Sequence, residues 1–137
     1  MNLKSFLIIL SCAILSCTNG DKSKKADYEK TKEELAEKEK QNALDFLTIS
    51  GSDKRNILGK TVVDGTVKNT ATVSSYKDVR IKMLFFKESM QVANHEQVLE
   101  ETLEPGAKHE FKSRYKTPKG TDSVALSIMS AEIITEN

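Results

Sequence analysis

Apolar and polar residues alternate with a period of two along much of this chain, and this pattern constrains the fold more than any other feature. It is clearest in residues 79–85, where Val79, Ile81, Met83 and Phe85 fall on one face. Such alternation predicts a β-strand with one buried and one solvated face. The same reasoning predicts further strands at residues 46–50, 61–69, 97–103, 108–116 and 124–130.

Turn-forming residues separate these predicted strands. They are Gly51-Ser52-Asp53, Lys77-Asp78, Pro105-Gly106 and Pro118-Lys119-Gly120. Short strands joined by such turns over about 90 residues are typical of an antiparallel sandwich. The predicted fold class is therefore all-β. Gly65 stands in the middle of one predicted strand, which indicates a bulge or a close approach of backbone.

A highly charged segment, residues 21–41, precedes the sandwich, and Tyr28 and Leu35 are its only large apolar residues. We predict a disordered tether at residues 18–25 and a helix at residues 26–44, which contain good helix formers and neither Gly nor Pro. Because Tyr28, Leu35 and Asn42 are seven residues apart, a coiled-coil dimer is one interpretation. The seam is thin, so a solvated helical spacer is preferred. Such a spacer adds few buried contacts, and a chain starting at Asn42 should fold alone.

The N-terminal segment has the pattern of an export signal. Lys4 precedes an apolar run at residues 6–15, which is too short to cross a hydrocarbon core of ~30 Å. The run ends in Ile14-Leu15-Ser16-Cys17, and polar residues follow at once. This segment resembles a bacterial lipoprotein signal peptide with its lipobox. The resemblance implies diacylglycerol on the Cys17 thiol, cleavage before Cys17, and acylation, for example with palmitate, of the new amino terminus.

Two alternatives to the lipobox remain open, namely a plain secretory signal and a short membrane anchor. A plain signal usually ends in A-x-A, which is absent. Cys12 also follows a lipobox-like sequence, but cleavage there would leave an apolar region of only six residues, so Cys17 is the better acceptor. The predicted division is a signal peptide at residues 1–16, a tether and charged helical spacer at residues 17–45, and a β-sandwich at residues 46–137.

The lipobox resemblance implies a cell-envelope protein that reaches the membrane through the lipid on Cys17. Thr18 is not the Asp associated with inner-membrane retention in enteric bacteria, so the outer membrane is preferred. Removing residues 1–16 from the 137 leaves 121 residues, with 20 basic and 20 acidic side chains and no cysteine besides Cys17. A neutral chain is a poor candidate for nucleic-acid binding. A chain without a free thiol has neither a disulfide nor a cysteine metal ligand.

A second resemblance concerns the sandwich. Its motifs are Asp64-Gly65-Thr66-Val67-Lys68-Asn69, Tyr76-Lys77-Asp78-Val79, and Leu103-Glu104-Pro105-Gly106 followed by Phe111. Spread over residues 58–131, they resemble those of FxLYD-type and related immunoglobulin-like domains of bacterial envelope proteins. The chain is also similar to small lipoproteins of Bacteroidetes-type bacteria. The resemblance implies an antiparallel immunoglobulin-like sandwich, and it transfers no catalytic residue.

Candidates for catalysis or metal binding are few. His95 and His109 are the only histidines, and each has an adjacent Glu that could join it at a metal. Adjacent residues of a strand point to opposite faces, so neither pair chelates well. The same divergence separates Glu100 from Glu101 as an acid–base pair. We expect His95 in a loop and His109 in a strand, no catalytic residue, no metal site and no cofactor.

Two further features bear on binding or modification. Residues 108–116 present basic side chains on one face, interrupted by Glu110: Lys108, Lys112, Arg114 and Lys116. This face could meet anionic lipid or glycan, but protection of an edge strand against pairing is the preferred interpretation. Asp122-Ser123-Val124 resembles the short O-glycosylation motif of Bacteroidetes exported proteins. A motif of three residues often matches by chance, so a chance match is the preferred interpretation here.

These features predict a lipid-anchored envelope protein whose non-catalytic sandwich binds a protein or glycan of unknown identity. The alternative is a structural or assembly accessory subunit of an envelope complex. No exposed aromatic platform for a glycan is evident in the sequence, and no binding residue can be assigned from it.

Overall fold

The computed structural model describes residues 20–56 and 58–134. One long helix, one short 3₁₀ helix and six strands make up this part of the chain. In chain order they are α1 (Gly20–Gln41), the 3₁₀ helix (Ala43–Phe46), β1 (Leu47–Arg55), β2 (Lys60–Asn69), β3 (Ser75–Lys87), β4 (Met90–Leu99), β5 (Lys108–Lys116) and β6 (Ser123–Ile134).

The strands form two antiparallel sheets of three strands each. The first sheet has the order β1-β2-β5 and the second has the order β4-β3-β6. In immunoglobulin nomenclature this arrangement corresponds to strands A-B-E against strands C′-C-F, with no strand in the D and G positions within the described residues. The prediction of an all-β, antiparallel immunoglobulin-like sandwich is confirmed.

The core lies between the two sheets and is supplied most heavily by β3. Val79, Ile81, Met83 and Phe85 are all fully buried, as the alternation in this segment predicts. Phe111 of β5 packs with them from the first sheet. Burial of each of these side chains contributes about 1.5–3 kcal/mol to folding.

Two glycines of the first sheet allow close packing. Gly51 and Gly65 face each other across β1 and β2. A Cβ on Gly65 would overlap the Phe111 ring, and one on Gly51 would lie 2.6 Å from Cδ1 of Leu126. The close approach predicted at Gly65 is therefore present. The turn predicted at residues 51–53 is wrong, because Gly51 is a packing residue inside β1.

Two other predicted boundaries shift for local reasons. Lys77-Asp78, predicted as a turn, lies within β3, where the register with β6 shifts and Asp78 has a positive φ of 48°. This is a bulge rather than a reversal of the chain. The strand predicted at residues 97–103 is also misplaced, because β4 ends at Leu99. Leu103 instead forms an isolated bridge with Tyr76.

The helix extends further toward the N-terminus than predicted. It begins at Gly20, inside the segment 18–25 predicted as a disordered tether, so that prediction is wrong from Gly20 onward. The lysines of this segment are good helix formers, so the extension costs little. The helix ends at Gln41, where the chain tightens into the 3₁₀ helix.

Candidate functional site

Glu39 joins the helix to the sandwich, and it is only 1% exposed. Its Oε1 accepts a hydrogen bond from the backbone N–H of Thr72 at 2.6 Å. Its Oε2 accepts from the N–H groups of Ser74 at 2.8 Å and Val73 at 3.2 Å. Three successive N–H groups thus converge on one carboxylate, an arrangement suited to holding an anion. We call this contact the Glu39 joint.

The backbone of Glu39 is held as well. The hydroxyl of Tyr76, a fully buried residue near the start of β3, donates to the Glu39 carbonyl oxygen at 2.9 Å. On the inner side of the β2–β3 loop, Asn69 Nδ2 donates to the carbonyls of Ser74 and Leu103, each at 2.9 Å. Asn69 Oδ1 accepts from the N–H of Ala71 at 2.8 Å. The loop is therefore fixed from within by Asn69 and from the helix side by Glu39.

The electrostatics of the joint follow from these contacts. Burial alone would raise the pKa of Glu39, but the hydrogen bonds from Thr72, Ser74 and Val73 outweigh it and hold the pKa below its ordinary value of 4.5. Burial, with a smaller contribution from the Glu39 charge, raises the pKa of Tyr76 to about 12. At neutral pH the joint therefore holds an ionised carboxylate and a neutral phenol.

The Glu39 joint was missed by the sequence-based interpretation of α1 as a spacer with few buried contacts. The rest of the helix fits that interpretation, because Tyr28 and Leu35 are exposed and no apolar stripe packs on the sheets. Nothing in the sequence singles out Glu39 among the seven acidic residues of residues 21–41. The division of the chain at residues 45 and 46 stays a prediction, and this contact crosses it.

His95 belongs to a structural cluster that bridges the two sheets. It lies in β4, so its prediction as a loop residue is wrong. Its ring stacks on that of Tyr115 in β5, with centroids 4.3 Å apart, and Phe85 meets both rings edge-on at 5.6 Å. Gln97 Oε1 accepts hydrogen bonds from the hydroxyls of Ser113 and Tyr115. These contacts close the sandwich between its edge strands β4 and β5.

His109 lies in β5, as predicted, and its nearest charged partner is in the loop after β4. Its Nε2 is 3.7 Å from Oε2 of Glu101. The neighbouring Glu100 is exposed. Across residues 20–56 and 58–134, no group of three or more His, Cys, Asp or Glu side chains is placed to hold a metal ion. The absence of enzymatic activity and of a cofactor stays a prediction.

The basic residues predicted on β5 form part of a larger surface. Strand register brings the outward side chains of β1, β2 and β5 onto one exposed face of the first sheet. We call it the basic face. Its seven basic residues are Lys54, Lys60, Lys68, Lys108, Lys112, Arg114 and Lys116, and its two acidic residues are Asp64 and Glu110.

Asp64 stands near the centre of the basic face. Its Oδ1 is 2.9 Å from Nζ of Lys112 and its Oδ2 is 3.8 Å from Nζ of Lys54. The hydrogen bond and charge of Lys112, with the charges of Lys54 and Arg114, hold the pKa of Asp64 below its ordinary value. The carboxylate therefore stays ionised and neutralises only part of the surrounding positive charge.

The opposite end of the basic face from α1 contains a shallow cavity of about 440 Å³. Its lining includes Lys54, Lys60, Lys112 and Arg114 around Val62. Val62 points away from the core yet is only 4% exposed, which is explained by the aliphatic stems of these long side chains. The cavity is thus apolar at its floor and cationic at its rim.

Of the two predicted modification sites, one lies within the described residues and the other does not. Cys17, the predicted lipid acceptor, lies outside the described residues. Ser123 is exposed at the start of β6, and its hydroxyl donates to Oδ1 of Asp122 at 2.8 Å. Asp122 Oδ2 in turn accepts from the N–H of Glu88 at 2.7 Å.

The described helices include none with the length and hydropathy to cross a bilayer.

Comparison with known proteins gives little further information. No family model matches the chain, so the FxLYD-type resemblance stays a prediction. No curated protein matches it either. Among solved structures, the chain is similar to the trimeric lipoprotein SadB of Salmonella enterica, with 14% identity and a TM-score of 0.46. That alignment covers 85% of this chain and 78% of the other. No conclusion about function rests on a likeness of this size.

Proposed function

We propose that this chain is a lipid-anchored cell-envelope protein whose β-sandwich is a non-catalytic interaction module. The lipid would be attached to Cys17, with the outer membrane preferred over the inner one. The helix α1 would hold the sandwich away from the bilayer by about 33 Å, from its 22 residues at 1.5 Å each.

The observation that carries this proposal is the Glu39 joint. A helix that is polar on all sides does not contribute to a core, so its role is to connect. Glu39 nevertheless fixes the end of that helix to the loop between the two sheets. This combination supports a domain that is held in a defined orientation relative to its helix, which suits recognition of a partner.

One observation favours the alternative, an assembly or accessory subunit. β6 is an edge strand of 12 residues with no Lys, Arg or Pro, the residues that commonly protect edges from pairing. Chemical crosslinking in intact cells separates the two functions. Adducts that form from β6 support the accessory subunit, whereas adducts that form from other surfaces of the sandwich and not from β6 support the interaction module.

The anchor has its own test. Cys17→Ser should leave an unprocessed precursor that incorporates no labelled palmitate, while the matched variant Cys12→Ser should be labelled and processed as the wild type is. Metabolic labelling followed by membrane fractionation measures both. Label that persists in Cys17→Ser and disappears in Cys12→Ser would show that the lipid is attached to Cys12, and would contradict the proposal.

A further inference from the structure

We infer that the basic face binds an anionic glycan, a polysaccharide chain that carries carboxylate or phosphate groups. This inference rests on the proposed function, because it names the partner of the interaction module. The chemistry of the face, its position on the sandwich and the way its charges are arranged support it.

The charge of the basic face is a local property that the composition conceals. Seven of the chain's 21 basic residues and two of its 20 acidic residues lie on this face. The other 14 basic and 18 acidic residues lie elsewhere in the chain. The face is therefore strongly positive while the remainder is negative. Its complement is an anionic partner that approaches from this side.

Edge protection accounts for the basic residues of the edge strands β1 and β5, but it does not explain the two lysines of β2. Lys60 and Lys68 lie on β2, which is paired on both sides and has no open edge to protect. Moreover, Lys60 is directly opposite Lys116 in the register of β2 and β5, and Lys68 is directly opposite Lys108. Like charges in directly opposed positions are destabilising. Local conflicts of this kind are expected at functional sites.

The dimensions of the face favour a chain over a small anion. The two Lys–Lys pairs are eight residues apart along β2, about 27 Å at 3.4 Å per residue. The ion-paired Lys112 and Val62 lie between them, and the cavity that Val62 floors begins at Lys60 of one pair. An extended polymer can contact both pairs at once, and multiple weak charged contacts then add.

Two other partners fit less well. A protein interface needs apolar or aromatic anchors at its centre, and the outward positions of β1, β2 and β5 contain no aromatic residue. A bilayer surface needs apolar side chains to insert. Among residues 20–56 and 58–134, Leu58, which is 76% exposed, is the one large exposed apolar side chain beside this face. It lies at the β1–β2 hairpin, the end of the first sheet away from α1.

The test uses the full-length protein reconstituted in phosphatidylcholine vesicles. Fluorescent polygalacturonate is the probe, and dextran of equal length is the neutral control. We expect saturable binding of polygalacturonate but not of dextran, with an affinity that falls at least about tenfold between 50 and 200 mM salt. Equal binding of the two polymers would overturn the inference.

The decisive variant is Lys60→Gln with Lys116→Gln, which removes one Lys–Lys pair. Binding should weaken at least about fivefold because two charged contacts are lost, while the melting temperature should stay equal or rise as the repulsion disappears. The matched control, Lys25→Gln with Lys30→Gln, makes the same charge change on exposed positions of α1 and should bind as the wild type does. Unchanged binding by the face variant would overturn the inference.

Two more probes distinguish other anions. Tighter binding to vesicles that contain phosphatidylglycerol, or to a DNA duplex, than to polygalacturonate would assign the face to a bilayer or to nucleic acid and contradict the glycan. Failure here is separable from failure of the anchor, because palmitate labelling of Cys17 does not depend on the basic face.

Discussion

The two sheets of the sandwich differ in what their inner and outer faces contain. The second sheet supplies the largest share of the core through the fully buried apolar face of β3, and on its outer side Arg80 is ion-paired with Glu96 at 3.5 Å. The first sheet contains two glycines within its strands and two directly opposed Lys–Lys pairs. The largest share of the core therefore comes from one sheet, whereas the other also contains features that oppose stability, and we propose that these serve binding.

The largest expected effect tests the core contribution of each sheet. Truncating Phe85 of the second sheet, or Phe111 of the first, to Ala should cost about 3–5 kcal/mol through lost burial and the cavity that remains. Urea denaturation measures this. The exposed Met129→Ala is the control and should stay within about 0.5 kcal/mol. If Phe111→Ala behaves like the control, the first sheet contributes less to the core than its packing indicates.

The loop between the two sheets gives the next largest effect. Glu39→Ala should cost about 2–3 kcal/mol, because the N–H groups of the β2–β3 loop lose a charged acceptor. Glu34→Ala, at an exposed position of the same helix, is the matched control. For the same reason a chain that begins at Asn42 should be less stable than one that begins at Thr18, although the polar helix alone predicts equal stability. Equal denaturation midpoints for the two chains would show that the joint adds nothing.

The pH dependence of the joint is a smaller effect. The pKa of Glu39 is lower in the folded protein than its ordinary value of 4.5. Its contribution is therefore complete above about pH 4.5 and is lost as pH falls through the folded value. The stability difference between wild type and Glu39→Gln should therefore shrink as the pH falls below about 4.5. Asp64 and Asp122 also have lowered pKa values, but they are common to both proteins and cancel.

The smallest effect compares the outer faces directly. Replacing Lys60 by Gln in the first sheet should stabilise the protein by about 0.2–1 kcal/mol, because it relieves repulsion from Lys116. Replacing Arg80 by Gln in the second should destabilise it by a similar or smaller amount, because it breaks an exposed ion pair with Glu96. Thermal unfolding at low salt resolves the two. Changes of the same sign would mean that the outer faces do not differ in this way.

The features that the sequence predicts correctly are those that depend on neighbouring residues. Alternation places Phe85 and Phe111 on buried faces because side-chain direction in a strand follows directly from position. Two turns were wrongly predicted, at Gly51 and at Asp78, because glycine also serves close packing and because a bulge has the same residues as a turn. Both distinctions depend on partners that are distant in sequence.

The candidate sites depend on such distant partners throughout. The basic face exists because register brings Lys60 opposite Lys116, 56 positions later in the chain. The charged residues of β5 could therefore be recognised, but their continuation onto β2 could not. Glu39 becomes a buried residue only because residues 72–74 present three N–H groups to it, and those residues have no distinctive sequence of their own.

The Glu39 joint also determines how mechanical force enters the domain. Tension applied at the N-terminal end of α1 passes into β1 through the chain and, in parallel, into the β2–β3 loop through Glu39 and Tyr76. That loop connects the two sheets, so the tension is shared between them. It does not act on β1 alone. A pull on the helix would therefore reorient the sandwich as a unit with the end of its helix.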